Sequence, residues 1–294
     1  MPSPERIDDQ ASGLRDMANP RPVQVIAVTS GKGGVGKTTV AVNLALSLIR
    51  RNRNVMIFDA DLGLANVDVL LGLQPSRNLS HVLAGECELS DIVLDGPLGL
   101  QVVPAASGNK TMTELGAAEH VGMIRAFSAL SPDLDVLIVD TAAGIAESVG
   151  WFSQAANEVL VVVCDEPASL TDAYALIKVL SKDYRVTRFN VLANQTRDTA
   201  EGRELFEKLE RVTDRFLDVH LLFAGAIPYD RDVRKSAQQQ CAVVDVFPHS
   251  ASALAFGQLG RKTAQWSLPT APSGNVEFFV ERLARLTPAS EGAV

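Results

Sequence analysis

The sequence predicts a doubly wound α/β domain: a mainly parallel sheet with helices on both faces, three layers in all. Three observations predict it. From residue 23 onward, short apolar runs alternate with longer segments of helical period. A glycine-rich loop joins the first apolar run to the first helical segment. Two further runs end in aspartate, at the strand ends where open α/β sheets bind their ligands.

The first run, residues 23–29, reads VQVIAVT and predicts a buried strand. The loop that follows is Ser30, Gly31, Lys32, Gly33, Gly34, Val35, Gly36, Lys37, Thr38 and Thr39. Its spacing matches G-x-x-x-x-G-K-[ST], the phosphate-binding loop of the P-loop NTPases. Gly33, Gly34 and Gly36 let backbone N–H groups turn inward without a side-chain clash. Those donors and the positive end of the next helix, residues 40–49, cradle polyphosphate. Lys37 is placed to reach the terminal phosphates, and the Thr38 hydroxyl to coordinate Mg²⁺. Read by itself, Lys32 is a solvated loop lysine.

The second strand, residues 55–58, leads into Asp59, Ala60 and Asp61. Asp61 is spaced to hold water or metal near a γ-phosphate; the competing reading is that Asp59 or Asp61 caps the turn. Residues 68–73 and 79–85 are short amphipathic helices, and His81 has no partner motif that would make it a ligand. Residues 100–104 form a strand with a loop at 105–108 behind it. Residues 136–139, VLIV, feed Asp140, the pattern of a metal-holding aspartate, and Gly144 lets the next loop approach the γ-phosphate.

A helix over 148–156 and a strand over 158–163 follow. Ser169 or Thr171 is placed to cap a helix over 173–180. Strand 189–194 ends in Asn194, whose amide donates and accepts, as readout of an adenine edge requires. A helix over 199–214 precedes the last strand, 221–227, and Pro228 and Asp230 mark a turn around Tyr229. In the helix starting near Asp230, Arg231, Arg234 and Lys235 either border the nucleotide or are solvated. Residues 250–266 form a core helix presenting Leu254, Phe256 and Leu259, and residues 269–274 a linker. Residues 275–286 put Val276, Phe279, Val280 and Leu283 on one helical face. That helix either docks on the domain or lies on a membrane surface; its polar face mixes Glu277 and Glu281 with Arg282 and Arg285 and lacks a basic bias.

Composition bounds the rest. The 294 residues are 47% hydrophobic, enough for one large core. No apolar run is long enough to cross a membrane, and a polar start with Asp8 and Asp9 does not read as a signal peptide. Cys87, Cys164 and Cys241 lie far apart, which predicts reduced thiols in a cytoplasm. A net charge of −8 argues against broad DNA coating.

The loop from Lys32 to Thr38 resembles the deviant phosphate-binding loop of the MinD/ParA family of ATPases. The likeness spans about residues 23–245. It implies an Mg²⁺-dependent ATPase of slow regulatory turnover that forms an ATP-dependent homodimer. It implies that Lys32 crosses the interface to the partner's nucleotide. Asp61 inherits the placing of the attacking water, with Asn66 and Asp172 at the dimer or partner surface. Asn194 with Pro228, Tyr229 and Asp230 pockets adenine, and no Asn-Lys-x-Asp guanine reader stands there, so ATP is expected over GTP. Relatives carry a reversible membrane helix at the C-terminal end.

Ahead of the loop, Asp9, Gln10, Ala11, Leu14 and Arg15 resemble the activating helix of the flagellar-number (FlhG/FleN) branch of that family. Taken alone the segment is a tail with helical tendency. The resemblance implies that Gln10 assists the active site of an FlhF-type GTPase while Leu14 and Arg15 dock. It implies control of flagellar number and placement, through that GTPase and a FleQ-type transcription activator. The expected organisation is a tail at 1–22, an ATPase domain at 23–268 and a linker with amphipathic helix at 269–294. The expected location is the cytoplasm, with peripheral contact at the inner membrane of the cell pole and no direct DNA binding. A ParA-type DNA-partition ATPase and a MinD-type septum regulator are the alternatives. The first requires a basic DNA surface; the second gives no reason for Gln10 and calls for a more basic lipid helix.

Overall fold

Burial on both faces makes the central strands continuous apolar runs, and the sheet is built from them outward. The computed structural model describes residues 22–61, 66–105 and 134–266. Its strands are β1 (Gln24–Ser30), β2 (Val55–Ala60), β3 (Leu94–Asp95), β4 (Gln101–Val103), β5 (Val136–Ala143), β6 (Glu158–Val163), β7 (Arg188–Thr196) and β8 (His220–Pro228). The helices are α1 (Lys37–Ile49), α2 (Val67–Leu71), α3 (Leu79–Leu83), α4 (Glu147–Ala155), α5 (Pro167–Lys182), α6 (Thr199–Phe216), α7 (Arg231–Gln238), α8 (Val243–Val246) and α9 (Ala251–Thr263).

The strands lie in the order β3-β4-β2-β5-β1-β6-β7-β8. Every pairing is parallel except β3 with β4, where Leu94 faces Val102 and Asp95 faces Gln101. That antiparallel edge was not foreseen, because two residues carry no period.

Alternation along β1 divides the core. Ile26 and Val28 face α1, α8 and α9, with Leu44, Val244 and Phe256. Val25 and Ala27 face the other way, toward Phe58, Trp151 and Phe152. Farther along that second face, Val159 and Val161 pack with Leu176 of α5 and Leu205 of α6. Helices therefore cover both faces, as expected. Cys164 is 7% exposed, a core residue as read.

Three local expectations are corrected. Helix α5 begins at Pro167 rather than 173, because Pro is preorganised for the first helical position. Neither Ser169 nor Thr171 caps it: the Ser169 hydroxyl accepts from Cys164 N–H at 3.1 Å, and Thr171 donates back to Pro167 C=O at 3.1 Å. Leu254 is 56% exposed, while Phe256 and Leu259 are buried. His81 has a structural partner: its Nδ1 accepts from Asn78 N–H at 3.2 Å in the capping box that starts α3.

Candidate functional site

Everything in the site hangs on the carboxyl ends of β1, β2, β5 and β7. The loop after β1 turns at Gly34 (φ 83°) and Gly36 (φ 89°), both in the left-handed region that glycine tolerates. Gly33 has neither a positive φ nor a neighbour where a Cβ would stand. Gly31 is required for another reason. A Cβ there would lie 2.2 Å from the backbone carbon of Asp172, so α5 crosses directly over the loop.

Lys37 opens α1 and is buried. Its Nζ donates to Asp140 Oδ1 at 2.6 Å, with the two side chains 8% and 0% exposed. Burial raises the pKa of Asp140; the charge and hydrogen bond of Lys37 oppose the rise, helped by the Thr38 hydroxyl. Asp140 Oδ2 is buried and has no partner among the described residues. An orphaned carboxylate oxygen beside a threonine hydroxyl suits Mg²⁺, a hard ion that takes one or two protein oxygens and completes its shell with phosphate and water.

Strand register sets Asp59 of β2 beside Asp140 of β5. Asp59 is 1% exposed. Its Oδ1 accepts from Asp61 N–H at 3.1 Å, and its Oδ2 from Asn66 and Val67 N–H at 3.0 and 3.2 Å. Burial first, and Asp140 second, push its carboxyl up to about 7. The capping reading therefore holds for Asp59, which ties down both ends of the segment carrying Asp61. Asp61 itself is partly exposed, and its charge reaches Asp140. Asn66 stands exposed at the start of α2.

Lys32 is not solvated at random. Its Nζ donates to Glu166 Oε2 at 2.7 Å, at the threshold of α5. The hydrogen bond and charge of Glu166 raise the lysine pKa, and Asp172 adds to the effect. Lys32 and Asp172 thus share one surface, and Glu166 joins them. The resemblance to the family puts the whole stretch from Glu166 to Asp172 at a dimer or partner surface, but sequence gives a role only to Asp172.

Beside the phosphate loop is a pocket of ≈ 200 Å³ lined by Gly36, Thr39, Asn194, Gln195, Tyr229 and Arg234, among others. Asn194 Nδ2 donates to Val35 C=O at 2.7 Å, so this amide buttresses the phosphate loop and keeps its oxygen as the acceptor. Gln195 sits at φ 59° where the β7–β8 register slips, a bulge that turns its side chain toward the loop. It carried no sequence signal. Tyr229 N–H donates to Thr196 C=O at 2.6 Å while its side chain is 67% exposed. Asp230 caps α7 and accepts from both the N–H and hydroxyl of Ser252. Burial acts to raise the Asp230 pKa, but these hydrogen bonds outweigh it and hold it low. Asp230 is therefore a framework residue, and Pro228 shapes the wall. Arg234 lines the pocket; Lys235 turns away to Asp232 at 2.7 Å. Gln10, Leu14 and Arg15, and the C-terminal segment 275–286, lie outside the described residues.

Known proteins match this chain in family, in sequence and in fold. The family model described as the CobQ/CobB/MinD/ParA nucleotide binding domain matches residues 26–243. The antiactivator FleN of Pseudomonas aeruginosa is 58% identical over 281 residues, covering 96% of this chain and 100% of that protein. The flagellum site-determining protein YlxH of Helicobacter pylori is 32% identical over 296 residues, covering 95% and 100%. The cell division ATPase MinD of Pyrococcus furiosus superposes with a TM-score of 0.65 at 26% identity, covering 83% of this chain and 99% of that one. MinD of Pyrococcus horikoshii, solved with Mg-ADP, gives 0.65 at 25% identity, covering 83% and 96%. With its phosphate loop on a mainly parallel sheet, and matched over nearly its whole length by such relatives, the chain belongs to the MinD/ParA nucleotide-binding family, on its FleN-type branch.

Proposed function

We propose that the chain is an ATP-driven switch that regulates flagellar number. The observation that carries this reading is the full-length likeness to the antiactivator FleN, on a chain whose phosphate loop and Asp140 are intact. The loop amides and Lys37 neutralise phosphate charge. Thr38 and Asp140 would hold Mg²⁺, which when bound neutralises the β- and γ-phosphate oxygens. Lys37 must then exchange Asp140 for phosphate. Asp61 orients the attacking water. Lys32 leaves Glu166 to meet the nucleotide of a second copy, so that ATP favours the dimer and hydrolysis dissolves it. Turnover is slow, as suits a timer.

The outputs are a FleQ-type transcription activator and an FlhF-type GTPase, the latter engaged by the tail around Gln10, Leu14 and Arg15. The protein acts in the cytoplasm and at the polar inner membrane, through the segment 275–286. Two measurements test this. Phosphate release by Asp61→Ala should fall at least ten-fold while ATP binding persists; equal rates would remove Asp61 from the chemistry. The full chain should stimulate GTP hydrolysis by the cognate FlhF-type GTPase, and Gln10→Ala should not. Equal stimulation by both would remove the tail from that role.

A further inference from the structure

Helix α7 closes on a residue that the local backbone does not favour. Gln240 N–H donates to Ala237 C=O at 3.0 Å and Cys241 N–H to Ser236 C=O at 2.9 Å, the paired bonds that end a helix on a left-handed residue. Gln240 is that residue, at φ 54°. Glycine is the usual occupant, because a Cβ makes the left-handed backbone costly. The glutamine side chain does something glycine cannot. Its Nε2 crosses to α2 and donates to Val69 C=O at 3.2 Å. That carbonyl lies in the last turn of α2, where a helix leaves its acceptors short of donors; Gly72 N–H reaches it at 3.4 Å, a long bond. Gly72 ends α2 in the same left-handed way, at φ 65°, and a Cβ on it would stand 3.2 Å from Gln240 Cβ and Oε1. The two helix ends therefore pack cap against cap.

Helix α2 has five residues, too few to persist on propensity. Val67 and Leu71 bury its inner side, and a clamp holds each end. At its start, Asp59 Oδ2 accepts from Asn66 and Val67 N–H, while Oδ1 accepts from Asp61 N–H. That clamp belongs to the strand end beside Asp140. At its far end stands Gln240. This second clamp belongs to the helix whose Val233, Arg234 and Ala237 line the pocket beside the phosphate loop. Ala237 is also the residue whose carbonyl Gln240 N–H binds. Helix α2 thus spans from the carboxylates of the phosphate site to the wall of the pocket.

We propose that Gln240 is a positioning residue of the nucleotide site. It ties α2 to α7, so that filling the pocket on α7 steadies Asn66 and Val67 on Asp59, and with them the backbone at Asp61. The inference rests on the ATP-driven switch proposed above, and adds a route by which the pocket acts on Asp61.

The test compares the full chain with Gln240→Gly and Gln240→Asn. Both residues accept the left-handed backbone, and neither reaches Val69, so both variants should melt no lower than the parent. Hydrogen exchange is followed at residues 66–73, without nucleotide and with ADP and Mg²⁺. Without nucleotide, exchange there should be about three-fold faster in both variants. ADP should slow it in the parent and slow it less in the variants. In steady-state phosphate release from ATP, kcat should fall about three- to ten-fold while ADP affinity stays unchanged. A purely structural role would lower the melting temperature with the rate. Equal exchange in parent and variants overturns the clamp, and equal slowing by ADP overturns the coupling. An unchanged kcat overturns the positioning role, and so does a loss of ADP affinity as large as the loss of kcat. A parent that releases no phosphate removes the ATPase reading instead, and the exchange measurement still decides the clamp and its coupling.

Discussion

At the scale of single residues, the site is a set of buried ionisable groups held close to one another. The carboxyl of Asp59, pushed up to about 7 from its ordinary 3.8, keeps its proton in the folded chain where an unfolded aspartate has lost it. The folded state therefore binds the extra proton, and the nucleotide-free chain loses stability as pH rises between those two values. Asp140, raised chiefly by burial, adds in the same direction. The urea midpoint of the metal-free chain should be lower at pH 8 than at pH 5, with a smaller difference in Asp59→Asn. An unchanged difference in that variant would place the titration elsewhere. Lys37→Met should cost about 2–4 kcal/mol at pH 8, because it strands a buried carboxylate. The cost should shrink as pH falls, because burial already favours the neutral form of Asp140. Adding Asp140→Asn should recover more than half of the loss at pH 8. Both follow from denaturant titration.

At the scale of elements, glycines mark where backbones touch, and the motif does not say which. Gly31→Ala drives a Cβ into the α5 backbone at 2.2 Å. It should cost about 1–3 kcal/mol and reduce ADP affinity at least ten-fold, since the loop must shift. Gly33→Ala, with open space and no positive φ, should leave stability within about 0.5 kcal/mol. Chemical denaturation and nucleotide titration separate the two, and equal losses would refute the distinction. Element identity was legible because β1, β5 and β6 each hold four or more consecutive apolar residues and α1 has a strong motif at its start. The boundaries of α5 were less so: Pro167 favours a helix start, but Ser169 and Thr171 offered equally good caps locally. The β3 edge lacked any period to read.

At the scale of the whole molecule, nucleotide is a stabiliser by mass action. ADP with Mg²⁺ at about 100 times its dissociation constant should add ~2.7 kcal/mol to the folded chain. The melting temperature should rise by roughly 5–10 °C for a domain of this size, and Lys37→Met should abolish the rise. The Lys32–Glu166 pair bears on assembly. Both side chains are substantially exposed, so the pair is easily exchanged for a stronger partner. Glu166→Gln should shift the ATP-bound population toward dimer relative to the parent, as seen by light scattering, while Lys32→Ala should stay monomeric. A Glu166→Gln chain that dimerises less than the parent would show that Glu166 supports the interface instead.

The layered fold, the phosphate loop and the placing of Asp140 at the end of an apolar strand were all legible in the residues alone. These features are local: a spacing, a period, a charged residue at the end of an apolar run. That Asp59 anchors the chain at Asp61 and Asn66, and that Asn194 buttresses Val35, emerges only once the strands are packed. The same holds for Glu166 against Lys32, and for Gln195 turned into the pocket beside the phosphate loop. Each of these depends on strands far apart in sequence lying side by side in a set register. Register, bulges and helix crossings arise from packing over the whole sheet, which no single stretch of residues encodes.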